Sequence, residues 1–111
     1  MTEKRNHERS AIELAASHGI PDDPRVSHEA KINNISQTGF CFRSLKELKA
    51  GSEIELVINC ENNENVNVLV RVVWSKVDDD TEENIYGVRI TEKPGPRLEK
   101  FLEFYNLIQE E

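Results

Sequence analysis

The sequence has no long apolar run and no sign of a targeting segment. No stretch approaches the roughly 18 apolar residues that a membrane-spanning helix needs, so no membrane insertion is expected. Residues 1–9 are polar and predict neither a secretory signal nor a membrane anchor, which makes a cytoplasmic location the expectation. The length of 111 residues leaves room for one domain with a single core.

Cysteine and histidine are too few and too scattered to predict a metal site. Cys41 and Cys60 lack Cys-x-x-Cys spacing, and His7, His18 and His28 share no ligand spacing. Because each cysteine adjoins apolar, strand-like residues, we expect both to be buried small hydrophobic side chains without a disulfide. No Ser/His/Asp or Cys/His motif and no Gly-rich phosphate loop is recognisable, so the sequence predicts neither an enzyme nor a resident cofactor.

Positive charges are outnumbered by negative ones, 14 Lys and Arg against 21 Asp and Glu, but three of them form a local cluster. The net charge of −7 argues against a nucleic-acid polymer as partner, because a basic face supplies the affinity of such complexes. Lys4, Arg5 and Arg9 form a basic cluster, whereas acidic residues gather at 78–83 and at the C-terminus. A small anion needs only such a local group of cations.

What the sequence does contain is a series of segments with the two-residue periodicity of β-strands. Six are predicted, beginning near residues 11, 28, 40, 53, 66 and 85. In the fifth, apolar residues alternate and share one face: Val66, Val68, Val70, Val72 and Trp74. We expect Trp74 and Tyr86 to be core residues. Six short strands with regular turns predict a mainly all-β fold, an antiparallel barrel or sandwich.

Other local patterns complete the secondary-structure prediction. The segment 36–39 suits a type I turn, and Leu45 and Leu48 have helical spacing in a stretch that ends at Gly51. After the sheet-breaking residues 94–96, one apolar stripe predicts an amphipathic helix: Leu98, Phe101, Leu102, Tyr105 and Ile108. The stripe is expected to pack on the domain; the alternative is a helix that forms a dimer.

Two short motifs occur in a fixed order, Arg5-x-x-x-Arg9 followed by Asn34-x-Ser36-x-x-Gly39. Together they resemble the ligand-binding motifs of the PilZ domain, a bacterial receptor for the second messenger cyclic di-GMP. Asn34 stands where the family more often has Asp, which removes a carboxylate.

The resemblance to the PilZ family covers nearly the whole chain, including the segments 71–74 and 86–88. It implies a six-stranded antiparallel PilZ-type β-barrel over residues 10–93. It also implies a flexible N-terminal arm, residues 1–9, and a helix, residues 94–111, packed on the barrel.

The chemistry of the ligand agrees with the residue types in the motifs. A guanine offers two acceptors on one edge, which a guanidinium matches with parallel N–H bonds, and a guanidinium also forks onto phosphate oxygens. By resemblance, Arg5 and Arg9 would bind phosphates and guanine edges. Asn34, Ser36 and Gly39 would hold a guanine, with Gly39 allowing close approach of the backbone.

The composition of the arm predicts how ligand binding would change the protein, in addition to where the ligand binds. Residues 2–8 include no apolar side chain and are expected to be disordered without ligand. Binding would order them, and Lys4 could add a phosphate contact. The expected output is binding to a downstream protein partner, by a monomer or weak dimer, in second-messenger signalling of the kind that controls motility or biofilm formation.

Other interpretations of the same residues stay open. The chain could be a PilZ-like adaptor that binds proteins but not cyclic di-GMP, or a small barrel that binds single-stranded nucleic acid. Acidic charge and few aromatics argue against the latter. Arg5 and Arg9 could be a solvated charge pair, and residues 34–39 could be only a hairpin turn, whose preferred residues overlap the motif.

Overall fold

The computed structural model describes residues 14–21, 27–59 and 65–109. They form six strands and a helix: β1 (Leu14–Gly19), β2 (His28–Ile35), β3 (Gly39–Ser44), β4 (Glu53–Asn59), β5 (Asn65–Val77), β6 (Asn84–Ile90) and α1 (Pro96–Gln109). The strands pair antiparallel and close into a barrel in the order β1-β2-β3-β6-β5-β4. The predicted six-stranded antiparallel barrel with a C-terminal helix is confirmed. The predicted arm and the expected start of the first strand, residues 11–13, lie outside the described residues.

The interior of the barrel is filled by apolar side chains, which alternate with polar ones along the strands. In β4, Ile54, Leu56 and Ile58 are buried, whereas Glu53 and Asn59 at the strand ends are exposed. This is the pattern of strands that turn one face to a core and the other to solvent. Side chains of the same kind from β2, β3, β5 and β6 complete one continuous core.

A β-bulge interrupts the alternation in β5. Val72 pairs with Val88 on β6, but the next pair is Trp74 with Gly87, so Val73 is an extra residue. One added residue moves the following side chains to the opposite face. The prediction that Trp74 is a core residue is therefore wrong: its side chain lies on the outer face and is 43% exposed.

Tyr86 is buried, as predicted, and it organises the segment that follows β3. Its hydroxyl donates to the carbonyl of Lys46 at 2.7 Å and accepts the N–H of Leu48 at 2.8 Å. The predicted helical stretch at Leu45 and Leu48 is wrong, because this segment is irregular and anchored to a side chain. Gly51 ends it with a φ of 93°, a conformation that favours glycine.

The C-terminal helix packs on the barrel through the predicted stripe. Phe101 is fully buried, and its neighbours on the stripe are partly buried against the core: Leu98, Leu102, Tyr105 and Ile108. Pro96 is the first helical residue, where the missing N–H has no helical partner to lose. In the ranges that the structure describes, no helix has both the length and the hydrophobicity to span a bilayer.

Two polar side chains lie inside the barrel and bond to each other. His18 Nε2 and Ser44 Oγ are 2.8 Å apart, and both side chains are buried. The His18 ring lies 5.4 Å from the rings of His28 and Phe42, measured between centroids. Burial, and to a lesser extent the charges of His28 and Lys46, lower the pKa of His18 from 6.5 to about 4.

Candidate ligand-binding site

A groove of about 520 Å³ runs along the outer face of the barrel, between the β2–β3 hairpin, β6 and the bulged part of β5. Six of its lining residues carry the argument below: Asn34, Ser36, Gly39, Trp74, Gly87 and Arg89. The structure thus brings the three residues of the second motif to one surface. Those of the arm, Lys4, Arg5 and Arg9, lie outside the described residues. Within the described ranges, no three His, Cys, Asp or Glu side chains converge as metal ligands would.

A bulge in β2 presents Asn34 to the groove. Ile32 pairs with Phe42 on β3 and Asn34 pairs with Cys41, so Asn33 is the extra residue. With its amide oriented to suit both neighbours, Asn33 donates to the carbonyl of Cys41 at 3.3 Å and accepts from Nε of Arg43 at 3.2 Å. The side chain of Asn34 is half-buried and bonds to no other described residue, which leaves its amide available.

The hydroxyl of Ser36 is used inside its own turn. It donates to the carbonyl of Gly39 at 2.9 Å and accepts the N–H groups of Gly39 and Thr38 at 3.2 and 3.3 Å. The main-chain N–H of Ser36 also donates to the carbonyl of Gly39, at 2.8 Å. Ser36 therefore shapes the hairpin that carries Asn34 and Gly39, and its hydroxyl has little capacity left for a ligand.

Gly39 allows two strands to approach each other. It pairs with Arg89, and a Cβ atom at this position would overlap the carbonyl oxygen of Val88. The carbonyl of the preceding Thr38 accepts the N–H of Ile90 at 2.8 Å. Glycine is required at this position because the backbone of β6 lies so close to it. A bound ligand would be a second reason.

Trp74 and Gly87 form a feature that sequence reasoning missed. They face each other across β5 and β6, and a Cβ atom on Gly87 would overlap the indole ring. The ring therefore lies over Gly87 at the side of the groove. Strict alternation had assigned Trp74 to the core, but a glycine inside a strand is a signal of close approach that could have indicated this contact.

Cys41 lies on the outer face of β3 and lines the same groove. It is half-buried because its neighbours Phe40 and Phe42 take the inward positions. The prediction of a buried side chain is thus only partly right for Cys41, and Cys60 lies outside the described residues.

Arg89 is the cation of the groove, and the sequence analysis did not single it out. Its side chain is exposed on β6, between Gly39 on one side and Arg71 on the other. In the part of the chain that the structure describes, it forms no ion pair with a carboxylate, and it directly faces another arginine. Like charges in opposite positions of a sheet are unfavourable. An anion in the groove would relieve this repulsion.

Comparison with known proteins identifies the family. The family model described as PilZ domain matches residues 3–106, which is more than half of the chain. No match was found among curated proteins. Among solved structures, the "Structure of Bacillus subtilis Inhibitor of motility (MotI/DgrA)" superposes with a TM-score of 0.69 at 15% sequence identity. That similarity, which concerns the fold alone, covers 92% of this chain and 49% of the other, so this chain spans about half its length. On the match over residues 3–106, the chain belongs to the PilZ domain family.

Proposed function

We propose that this chain is a receptor that binds cyclic di-GMP in the outer groove and relays its level to a protein partner. The observation that carries the proposal is the convergence of Asn34 and Gly39 with Trp74 and Arg89 on one surface. Membership of the PilZ family supports the same ligand. The protein of similar fold is an inhibitor of motility, which makes motility a candidate for the controlled process. The proposal also includes that the receptor catalyses no reaction and that it is located in the cytoplasm.

Each group in the groove suits one part of the ligand. The amide of Asn34 can donate to and accept from the polar edge of a guanine. The indole of Trp74 offers an aromatic face for a purine, and stacking of this kind contributes about 1–3 kcal/mol per base. Arg89 adds a cation held on a rigid strand, which suits a phosphate or the N7/O6 edge of a guanine.

The motif of the arm fits this site by its position along the chain. Leu14 pairs with Ile32, two residues before Asn34, so β1 begins at the end of the barrel where the second motif lies. Arg9 precedes Leu14 by five positions, and an extended chain of that length spans at most about 17 Å. In the proposal, Arg5 and Arg9 close over the bound nucleotide, Lys4 contacts a phosphate, and the ordered arm alters the surface seen by the partner.

The proposal is tested by titrating the protein with cyclic di-GMP, followed by calorimetry and by tryptophan emission. Trp74 is the single tryptophan of the chain, so its emission reports on the groove alone. We expect micromolar or tighter binding with a change in emission, no response to GTP, and loss of binding in Arg9→Ala and Asn34→Ala. Absence of heat and of an emission change at high ligand concentration would leave the protein-binding adaptor as the function.

A further inference from the structure

Four residues form one row across the outer face of the barrel, along the floor of the groove. Asn34 pairs with Cys41 across β2 and β3, and Cys41 pairs with Gly87 across β3 and β6. Gly87 in turn pairs with Trp74 across β6 and β5. All four residues line the groove. Because the two middle positions hold small residues, a trough lies between the amide at one end of the row and the indole at the other.

The indole of Trp74 occupies the space that a side chain at position 87 would fill. A Cβ atom added to Gly87 would overlap three atoms of the ring, Nε1, Cε2 and Cζ2. The ring therefore reaches back from β5 over β6, toward the trough, instead of extending away from the barrel into solvent. Neighbouring strands lie about 4.8 Å apart, so roughly two strand spacings, about 10 Å, separate the ring from the backbone of Asn34. This gap has room for one base of a nucleotide.

The position of the ring depends on the empty space above Gly87. Trp74 follows the bulge at Val73, and 43% of its surface is exposed. A side chain with so much surface free of neighbours has other staggered rotamers open to it. The rotamer that covers β6 is available only because position 87 carries no side chain.

The two glycines of the groove have different close neighbours. At Gly39 an added Cβ atom would meet the carbonyl oxygen of Val88, which belongs to the backbone of the barrel and cannot move without disturbing the sheet. At Gly87 the three nearest atoms would all belong to the side chain of Trp74, which has room to turn outward. A methyl group at position 87 is therefore expected to displace the indole and to leave the barrel intact.

We propose that Gly87 is a positioning residue of the nucleotide site: it holds the indole of Trp74 at the trough, where one base stacks on the ring with its polar edge toward Asn34. This inference rests on the proposed function, because it requires cyclic di-GMP to bind in the groove. The base is then held from two sides, by stacking on the ring and by hydrogen bonds to the amide. A side chain at position 87 would remove the stacking and leave the hydrogen bonds.

The test compares Gly87→Ala with the native protein in two measurements. Without ligand, displacement of the ring into water should shift the emission of Trp74 to longer wavelength and increase its quenching by acrylamide. In calorimetry, Gly87→Ala should weaken cyclic di-GMP binding about 5- to 100-fold, which corresponds to the loss of one stacked base. Ser75→Thr is the matched control: it adds a methyl group next to Trp74 in the chain, but on the opposite face of β5, and should change neither measurement.

A double-mutant cycle tests whether Gly87 acts through the ring. Trp74→Ala should weaken binding about as much as Gly87→Ala, and the double variant should bind no more weakly than Trp74→Ala alone. If Gly87→Ala costs the same affinity in both backgrounds, the methyl group meets the ligand directly and the inference is overturned.

Three further outcomes also overturn the inference. Native affinity in Gly87→Ala would show that the ring position does not matter for the ligand. Loss of the barrel in Gly87→Ala, measured by circular dichroism, would show that the indole is not free to move. If the native protein binds no cyclic di-GMP, the proposed function fails and this inference fails with it, whereas the first two outcomes leave the proposed function standing.

Discussion

Ser36 and Asn34 belong to one motif, but their surroundings give them different roles. The Ser36 hydroxyl makes three hydrogen bonds within its turn, whereas the amide of Asn34 bonds to no described residue. We therefore expect Ser36→Ala to lower the free energy of unfolding by about 1–2 kcal/mol, the usual effect of losing such bonds. Asn34→Ala should leave stability nearly unchanged and weaken ligand binding. Urea denaturation beside calorimetry separates the two effects; equal stability of both variants would contradict this assignment.

Arg89 should matter more for the ligand than the arginine opposite it. Only Arg89 lines the groove, while Arg71 donates to the carbonyl of Gly51 at 3.2 Å. We expect Arg89→Ala to weaken cyclic di-GMP binding by about 1.5–3 kcal/mol, the typical contribution of a charge-assisted bond. Arg71→Ala provides the control and should have a much smaller effect. If calorimetry finds that both variants lose the same amount of binding free energy, Arg89 acts through long-range charge and does not contact the ligand.

His18 makes stability depend on pH. Its pKa is about 4 in the folded barrel and near 6.5 in the unfolded chain, so the unfolded state binds a proton first as the pH falls. This group therefore causes stability to decrease below pH 6.5, and its effect is complete near pH 4. We expect His18→Gln, which cannot titrate, to lose less stability than the native protein between pH 7 and pH 5. Chemical denaturation at both pH values measures the difference; parallel losses would exclude His18 as the cause.

At the scale of the element, the hairpin between β5 and β6 contains a strained residue. Glu82 has a φ of 64° without being glycine. A side chain other than Asn, Asp or Gly is disfavoured in this conformation by about 1–2 kcal/mol. Glu82→Asn should therefore raise the free energy of unfolding by about 0.5–1 kcal/mol, since Asn tolerates the left-handed region. Thr81→Asn, one position earlier, is the control in urea denaturation and should bring no gain.

The six strands were predictable from the sequence because the alternation of apolar and polar residues persists over five residues or more, and α1 was predictable from its apolar stripe. The bulges were not, since nothing in the local pattern distinguishes an added residue from continued alternation. The unforeseen bulge at Val73 is why Trp74 was predicted to lie in the core, whereas its side chain lies at the groove. The irregular segment at Leu45 was missed because the hydroxyl that anchors it belongs to Tyr86, which is distant in the sequence. Likewise, Arg89 enters the site only through its pairing with Gly39.

At the scale of the whole molecule, the groove extends over strands from both halves of the chain. A ligand that contacts β2, β3, β5 and β6 together binds only the folded barrel, and such binding stabilises it by about 2.7 kcal/mol at a hundredfold excess over Kd. We expect cyclic di-GMP to raise the melting temperature by several degrees, as measured by circular dichroism. GTP should give no shift, and Arg89→Ala should reduce it. A ligand-independent melting temperature would argue against the proposed receptor.

The pairing of Gly39 with Arg89 determines when the groove can form while the protein is being synthesised. The β2–β3 hairpin leaves the ribosome before β6, the strand that completes its groove and ends at Ile90. A nascent chain that stops before β6 would carry Asn34, Ser36 and Gly39 and still lack the opposite wall. Under the proposed function, a chain that stops before β6 would not bind the nucleotide, so the site forms only after β6 has been made.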